Sequence, residues 1–553
     1  MTRSIPAAET LTIEFKSDQK RLSDAELAEA IVCLANTEGG SIYLGVEDDG
    51  RVTGLHPSHQ NVVGLPAMVA NHTSPSVHVR VERLEMEGRL VARIEVPKAR
   101  EVVATSQGTM KRRRIGSDGR PECVPMLPGE ISRRLSDLGA MDASAQPVSA
   151  ATAADLDPVE RARLRQFVDR FHGERALLDL SDGELDGALG LVDATTGLPT
   201  LAGLLLLGRD EAIRRLVPTH EVAFQVLEGE EVRYNEFSRA PLLRVVEWIE
   251  TQFKARNREK ELQVGLFRVG VPRVDLQAFR EAVANALVHR DYTRLGAVHV
   301  KLDDEELTLS NPGGFVEGVS PQNILTTPPR PRNPVLADAF KRIGLAERTG
   351  RGVDLIYRQV LRFGRPAPDY SRSDATTVVL RLPAADTDLQ FIRAILEAER
   401  RAGAALPIES LIVLSRLREV RRMTTAELAE AMQRPVDDAR RKLGRLVEAG
   451  LIERRGNTKA RTYMLARDFY AEEGAKAEYT RQVGLDRARQ EELVLNHAAH
   501  HGSVARKDVL ELCRTLTPDQ ATQLLARLVR DGRLRREGVR RWARYYPVTE
   551  EPS

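Results

Sequence analysis

At 553 residues the chain is too long for one hydrophobic core, because domains usually hold about 100–200 residues, so several units are expected. A composition 42% hydrophobic and 29% charged excludes an intrinsically disordered chain. Lys+Arg minus Asp+Glu is 82 − 80 = +2, so any affinity for nucleic acid has to come from local clusters of cations. Three scattered cysteines, Cys33, Cys123 and Cys513, read as neither a disulfide framework nor a zinc site, which predicts a reducing, cytoplasmic setting. The first residues show no apolar h-region, and the longest apolar run, Leu201–Leu207, falls far short of the roughly 20 residues of a membrane span. No membrane segment is expected.

Residues 1–138 read as a compact α+β unit. A helix starts behind Ser23, with Glu26 placed to close a capping box. It runs into Asn36-Thr-Glu-Gly-Gly, a strand from Ser41, and a turn at Asp48-Asp-Gly; further strands are predicted over Val77–Glu82 and Leu90–Val96. Lys111, Arg112, Arg113 and Arg114 form a cationic run suited to phosphate contacts that carry no sequence information, or to a charged edge strand. The spans Glu9-Thr-Leu-Thr-Ile-Glu14-Phe-Lys16 and Leu34-Ala-Asn-Thr-Glu-Gly-Gly-Ser-Ile-Tyr-Leu-Gly-Val-Glu-Asp-Asp-Gly50 resemble the AlbA-like domain of the Schlafen family. That resemblance implies nucleic-acid binding, RNA included. In members that cleave RNA it implies three acids, for which Glu9, Glu14 and Asp48 (or Glu47) are the candidates here. Three converging carboxylates can hold a divalent metal and activate water.

Residues 139–157, rich in Ala, Ser and Thr and lacking periodicity, read as a linker. A second α/β unit is expected over 158–385. It contains no G-x-x-x-x-G-K-[ST], so a Walker-type ATPase is unsupported. Phe279-Arg-Glu-Ala-Val-Ala-Asn-Ala-Leu-Val-His-Arg-Asp-Tyr292 has helical periodicity, which puts Glu281 and Asn285 on one face. The amide oxygen can bind a hard cation and the carboxylate can orient or deprotonate water. Asn311-Pro-Gly-Gly-Phe315 ends a strand pattern, and Glu347-Arg-Thr-Gly-Arg-Gly-Val-Asp354 opens another helix with a Gly-x-Gly turn suited to an anion.

In this order the three segments resemble the GHKL ATPase superfamily (gyrase, histidine-kinase and MutL type), with a Bergerat-type α/β sandwich. By that resemblance Glu281 activates water, Asn285 holds Mg2+, and Asn311, Gly313 and Gly314 form the adenine pocket. Gly350 and Gly352 cradle phosphates, and the loop carrying Arg330, Arg332 and Asn333 is the ATP lid. The superfamily at large has Asp at the adenine contact, where this chain has Asn311; its oxygen still accepts a hydrogen bond from adenine.

Two helical segments of similar plan follow, in 386–470 and 471–553. Thr424 or Thr425 caps a first helix, Arg434-Pro-Val opens a second, and a hairpin pattern with Gly456-Asn457 at its tip completes a winged-helix plan. Arg440, Arg441, Arg454, Arg455 and Lys459 in the first segment, and Arg540 and Arg541 in the second, are the candidate DNA contacts. Protein contact is the alternative role of such modules. The whole order is similar to the bacterial RecG-related, ATP-binding transcriptional-regulator group. It implies a homo-oligomeric, DNA-binding regulatory protein whose ATP site controls the lid, with slow hydrolysis to ADP left open. A metal-dependent nuclease built on Glu9, Glu14 and Asp48 is the alternative from a different class.

Overall fold

The computed structural model describes residues 6–553 apart from 265–266, 386–387, 457–460, 467–468, 470–489, 514–515, 517, 539–542 and 549–553. The chain divides into two compact units, one comprising Met1–Gln146 with Arg330–Pro334, the other Pro147–Pro329 with Val335–Ser553. No helix among the described residues is long and apolar enough to cross a membrane.

In the first unit a four-stranded sheet is built from β1 (Ile13–Lys16), β2 (Gly40–Leu44), β3 (Arg80–Met86) and β4 (Arg89–Val96), in the order β1-β2-β4-β3. Helix α1 (Asp24–Ala35) begins at Ser23, whose hydroxyl accepts from the Glu26 N–H while Glu26 reaches back to the Ser23 N–H, the expected capping box. Its Leu27, Ile31 and Leu34 pack with Ile42 and Ile94 of the sheet. The strand expected from Val77 starts at Arg80 and runs on to Met86. The turn that follows puts both Glu87 (φ 50°) and Gly88 (φ 72°) in the left-handed region, which suits a tight hairpin and extends pairing to Met86–Arg89.

The cationic run forms β5 (Lys111–Ile115), paired with β6 (Pro121–Pro125). Strand alternation turns Arg113 inward, where it is 3% exposed. Its guanidinium pairs with Glu14 and donates to the carbonyls of Thr10 (2.8 Å) and Ile13 (2.9 Å). Lys111 pairs with Glu29, Arg112 with Glu130 and Arg114 with Glu122. Arg113 is therefore a structural cation rather than a phosphate contact, which corrects that expectation. Cys33 and Cys123 form a disulfide that ties α1 to β6, leaving Cys513 as the free, buried thiol. This corrects the reading of the cysteines as unpaired; a separation of 90 residues in sequence hid their proximity.

The second unit has a five-stranded sheet of β7 (Val222–Glu228), β8 (Glu231–Ser238), β9 (Val298–Leu302), β10 (Glu306–Pro312) and β11 (Thr377–Pro383). The order is β8-β7-β9-β10-β11, with β7 and β9 parallel and the other neighbours antiparallel. Helices α2 (Leu242–Lys254) and α3 (Leu276–Val288) bury Phe253 and Phe279, whose rings stack at 3.7 Å, in a core shared with Phe224, Val300 and Leu309 of the sheet. The apparent linker is partly structured. Within 147–157 the Val148 N–H donates to Pro199 O and the Asp157 N–H to Leu207 O, and Ala151 and Leu156 are buried in this core.

Helices α4 (Gly352–Arg362), α5 (Leu389–Ala402) and α6 (Ile408–Val420) lead into α7 (Thr425–Ala431) and α8 (Val436–Glu448). Thr424 caps α7 through a second capping box with Glu427. A three-stranded sheet of Met423–Thr424, Ile452–Arg455 and Thr462–Leu465 closes over Leu443 and Leu446 of α8. The plan recurs with helices Arg506–Leu512 and Pro518–Arg530 and strands Val504–Ala505, Leu534–Glu537 and Arg544–Pro547.

Two outcomes follow. Arg113→Ala leaves buried Glu14 with Lys16 alone and the Thr10 and Ile13 carbonyls without their donor, and should cost about 3–5 kcal/mol in urea unfolding, whereas exposed Arg114→Ala should stay within about 0.5 kcal/mol. Thiol titration of the denatured chain should find one reactive cysteine without reductant and all three after reduction.

Candidate nucleotide site

Helix α3 is started by Asp275, whose carboxylate accepts from the N–H groups of Gln277 and Ala278. One face carries Phe279, Ala282, Val283, Ala286 and Leu287 into the core, which leaves Glu281 and Asn285 on a neighbouring face. The helix is stitched to the end of β10 by the Asp291 N–H, which donates to Pro312 O at 2.8 Å. Arg290, 0% exposed, donates to the carbonyls of Thr219 and Gly296 and so fixes that turn. The Tyr292 hydroxyl donates to Leu287 O. The His-Arg-Asp-Tyr segment therefore serves as an anchor holding the helix and the Asn311-Pro-Gly-Gly turn together.

Glu281 is 6% exposed. Its carboxylate accepts the Glu347 N–H at 3.0 Å and a hydrogen bond from the Asn285 amide one turn on. It lies against the first residue of α4: a Cβ at Gly352 would stand 1.8 Å from Glu281 Oε1, so a side chain there would push the carboxylate from its place. Burial pushes the Glu281 carboxyl above its ordinary range, the negative charge of Glu347 adds to this, and the Glu347 N–H and Asn285 oppose it.

The Glu347–Arg351 turn folds around a second carboxylate. Glu347 accepts from the Thr349 N–H (2.9 Å), the Thr349 hydroxyl (2.7 Å) and the Arg351 N–H (2.7 Å). Burial works against the ionised form of Glu347, but these donors outweigh it and hold the carboxyl below its ordinary range. Gly350 has φ +77°, and a Cβ there would meet Pro329 at 2.7 Å. Three backbone N–H groups ahead of a helix N-terminus thus converge on two anionic side chains. That donor set fits phosphate oxygens equally well.

Asn311, 4% exposed, ends β10, and Gly313 (φ +97°) donates its N–H to Thr376 O at 2.7 Å. A Cβ at Gly314 would press on the Asp374 and Ala375 backbone. The rings of Phe315 and Tyr370 meet at 5.8 Å, and Tyr370 is buried near enough to Glu281 for that charge to help raise its phenol, after burial and Tyr357. Tyr370 and Glu347 are site residues that motif reading missed. In the sequence Glu347 stands out only as part of a glycine motif, and no sequence signal marks Tyr370.

The structure brings together Glu281, Asn285, Gly350 and Gly352 around the α4 N-terminus, and Asn311, Gly313 and Gly314 at the adjoining end of β10. Arg332 departs from expectation. It is 3% exposed and paired with Asp137, and residues 330–334 cluster with the first unit. The Asp137 carboxylate compensates the charge of this buried guanidinium. Glu9, Glu14 and Asp48 do not form a metal centre. Glu9 accepts the Phe15 N–H (2.7 Å), Glu14 is held by Arg113 and Lys16, and Asp48 is exposed. Among the described residues no group of three His, Cys, Asp or Glu side chains is placed to hold a metal ion.

In the C-terminal part, Arg440 and Arg441 are exposed on α8 and pair locally with Asp437 (2.8 Å) and Asp438 (3.1 Å). Arg454 is exposed, and Arg455 pairs with Glu453 at 2.8 Å. Lys459, Arg540 and Arg541 lie outside the described residues.

Three family models match segments of the chain. The family model "Schlafen, AlbA_2" matches residues 9–121, "Putative ATP-dependent DNA helicase recG C-terminal" matches 296–380, and a domain of unknown function matches 132–223. The class is thus a multidomain protein with an AlbA-type module followed by an ATPase-like module. The chain carries a segment similar to a Schlafen AlbA_2 domain followed by one similar to a RecG C-terminal, ATPase-like domain, the pairing expected of the group it resembles. The ATPase-like match spans Asn311 to Gly352 but not Glu281 and Asn285. The DIP2311 protein from Corynebacterium diphtheriae has a similar fold, with 22% identity over 97% of this chain and 95% of that chain and a TM-score of 0.50. No curated protein matches the chain.

For Glu281 the pH dependence has a definite sign. A carboxyl raised in the folded state favours folding below its unfolded value, and that contribution is lost as pH rises through the folded value. Glu281→Gln should therefore melt above the wild type at pH 8, with the gap closing as pH falls towards 4.5, in scanning calorimetry.

Proposed function

We propose that the chain is an ATP-binding, DNA-binding regulatory protein whose nucleotide site is the GHKL-type pocket at the N-terminus of α4. The observation that carries this reading is the set of backbone N–H groups from Glu347, Thr349 and Arg351 closed on the Glu281 and Glu347 carboxylates. Such a cradle exchanges one anion for another, and a polyphosphate carries the charge that these carboxylates mimic.

In this reading Asn285 Oδ1 holds magnesium, which when bound offsets phosphate charge. Glu281, freed from the Glu347 N–H, orients water and takes its proton, a role suited to a carboxyl raised by burial. Asn311 presents its amide to the base, Gly313 and Gly314 let the backbone approach it, and Phe315 with Tyr370 forms an apolar wall. Hydrolysis is slow and resets the site rather than serving metabolism.

The helix pairs followed by hairpins are read as tandem winged helices within 386–470 and 471–553. Their exposed (i, i+3) ion pairs on α8 are weak, so Arg440 and Arg441 can turn to DNA phosphates, with Arg454 on the hairpin. The AlbA_2 domain adds a second nucleic-acid surface, and the protein acts as a homo-oligomer.

Asn285→Ala should raise the calorimetric Kd for ATP with magnesium at least about 100-fold, beyond what loss of an outer-shell partner costs. Binding as tight as wild type would remove the nucleotide from this pocket.

A further inference from the structure

Between the Asn311-Pro-Gly-Gly turn and Pro329 runs a loop anchored in the candidate nucleotide site at both ends. Phe315 touches Tyr370 at its start, and Pro329 crowds Gly350 at its finish. Its middle is a compact turn organised by Asn323, whose side chain accepts the Ser320 N–H (2.8 Å) and donates to Gly318 O (2.9 Å). The Thr326 and Thr327 N–H groups close on Asn323 O.

One side chain from a distant part of the sequence grips this turn. Gln433 Nε2 donates to Pro321 O at 2.8 Å, and Gln433 Oε1 accepts the Leu325 N–H at 3.0 Å. Gln433 sits in the short connection between α7 and α8, at φ 53°, a left-handed conformation that is strained for a non-glycine residue. A primary amide offers donor and acceptor at one end of a side chain, so one residue can span both backbone groups. The same helical module is fixed to the far end of α4. Arg418 donates to Gly364 O (2.6 Å), and Arg362 pairs with Glu399 of α5 at 2.8 Å. The helix that starts at the glycine turn is thereby held on this module at its end, while the loop facing that turn is held through Gln433.

We propose that Gln433 is the coupling residue between the nucleotide site and the α7–α8 helix pair. Rearrangement of the 316–329 loop on nucleotide binding moves the amide of Gln433 and with it the connection that sets the angle between α7 and α8. Duplex DNA bound on α8 acts back on the loop through the same two hydrogen bonds, because coupling between two ligands is reciprocal. This inference rests on the nucleotide and DNA readings above.

The test measures affinity for ATP with magnesium, with and without a fluorescein-labelled duplex of mixed sequence, and affinity for the duplex with and without ATP. The full chain is compared with Gln433→Gly, which removes the clasp and relieves the left-handed strain, so the fold is kept. In the wild type each ligand should change the other's Kd by the same factor, at least about fivefold. In Gln433→Gly both ligands should still bind alone, with the factor falling to near one, and the Leu325 amide should exchange its hydrogen faster. A variant that keeps the wild-type factor overturns the clasp and leaves the nucleotide site standing, as does a wild type that binds both ligands without mutual effect. A wild type that binds no ATP overturns the nucleotide reading itself and the coupling with it.

Discussion

The second unit's functional architecture turns on one contact: the Glu281 carboxylate lodged against Gly352 at the start of α4. A buried carboxylate needs hydrogen-bond donors, and Glu281 finds them in the Glu347 N–H and the Asn285 amide. Meeting that need draws the Glu347–Arg351 turn against α3 and brings Gly352 so close that a side chain there would displace the carboxylate. The Asp291–Pro312 hydrogen bond then brings the Asn311-Pro-Gly-Gly turn to the same place. Three segments far apart in sequence become one site because each completes the polar satisfaction of the next.

Buried charge is handled the same way in the first unit. Arg113 is enclosed with Glu14 and two carbonyls, and Arg332 with Asp137. Each pairing takes a residue that composition alone offers as a ligand for phosphate and makes it part of the framework. Exposed pairs such as Arg440–Asp437 behave differently, since water already solvates both partners and little is lost when the arginine turns to something else. The separation between structural and available cations follows burial, not the density of arginines along the chain.

That distinction explains what was legible in the sequence. The helix bearing Glu281 and Asn285, the capping box at Ser23 and the cap at Thr424 follow from local periodicity and turn chemistry. Within 111–114 the same logic was insufficient, because a run of four cations conceals the strand alternation that sends Arg113 inward. The Cys33–Cys123 bond, the burial of Arg332 and the approach of Tyr370 to Glu281 depend on contacts between residues distant in sequence. The segment 147–157 looked featureless because small residues carry little pattern, yet Ala151 and Leu156 pack into the core where neighbouring carbonyls take up its N–H groups.

The strained backbone at Gln433 fits this picture. A left-handed glutamine in a helix–turn–helix connection is an arrangement that an asparagine or glycine would adopt more readily. Neither replacement serves equally: glycine has no side chain, and asparagine carries the same amide one methylene closer to the backbone, short of the reach by which glutamine meets Pro321 O and the Leu325 N–H. The strain is offset by the two hydrogen bonds it permits, which join the 316–329 loop to the α7–α8 connection. A connection with no such task could relax to glycine without loss, so the cost retained at this position is best explained by what the side chain holds.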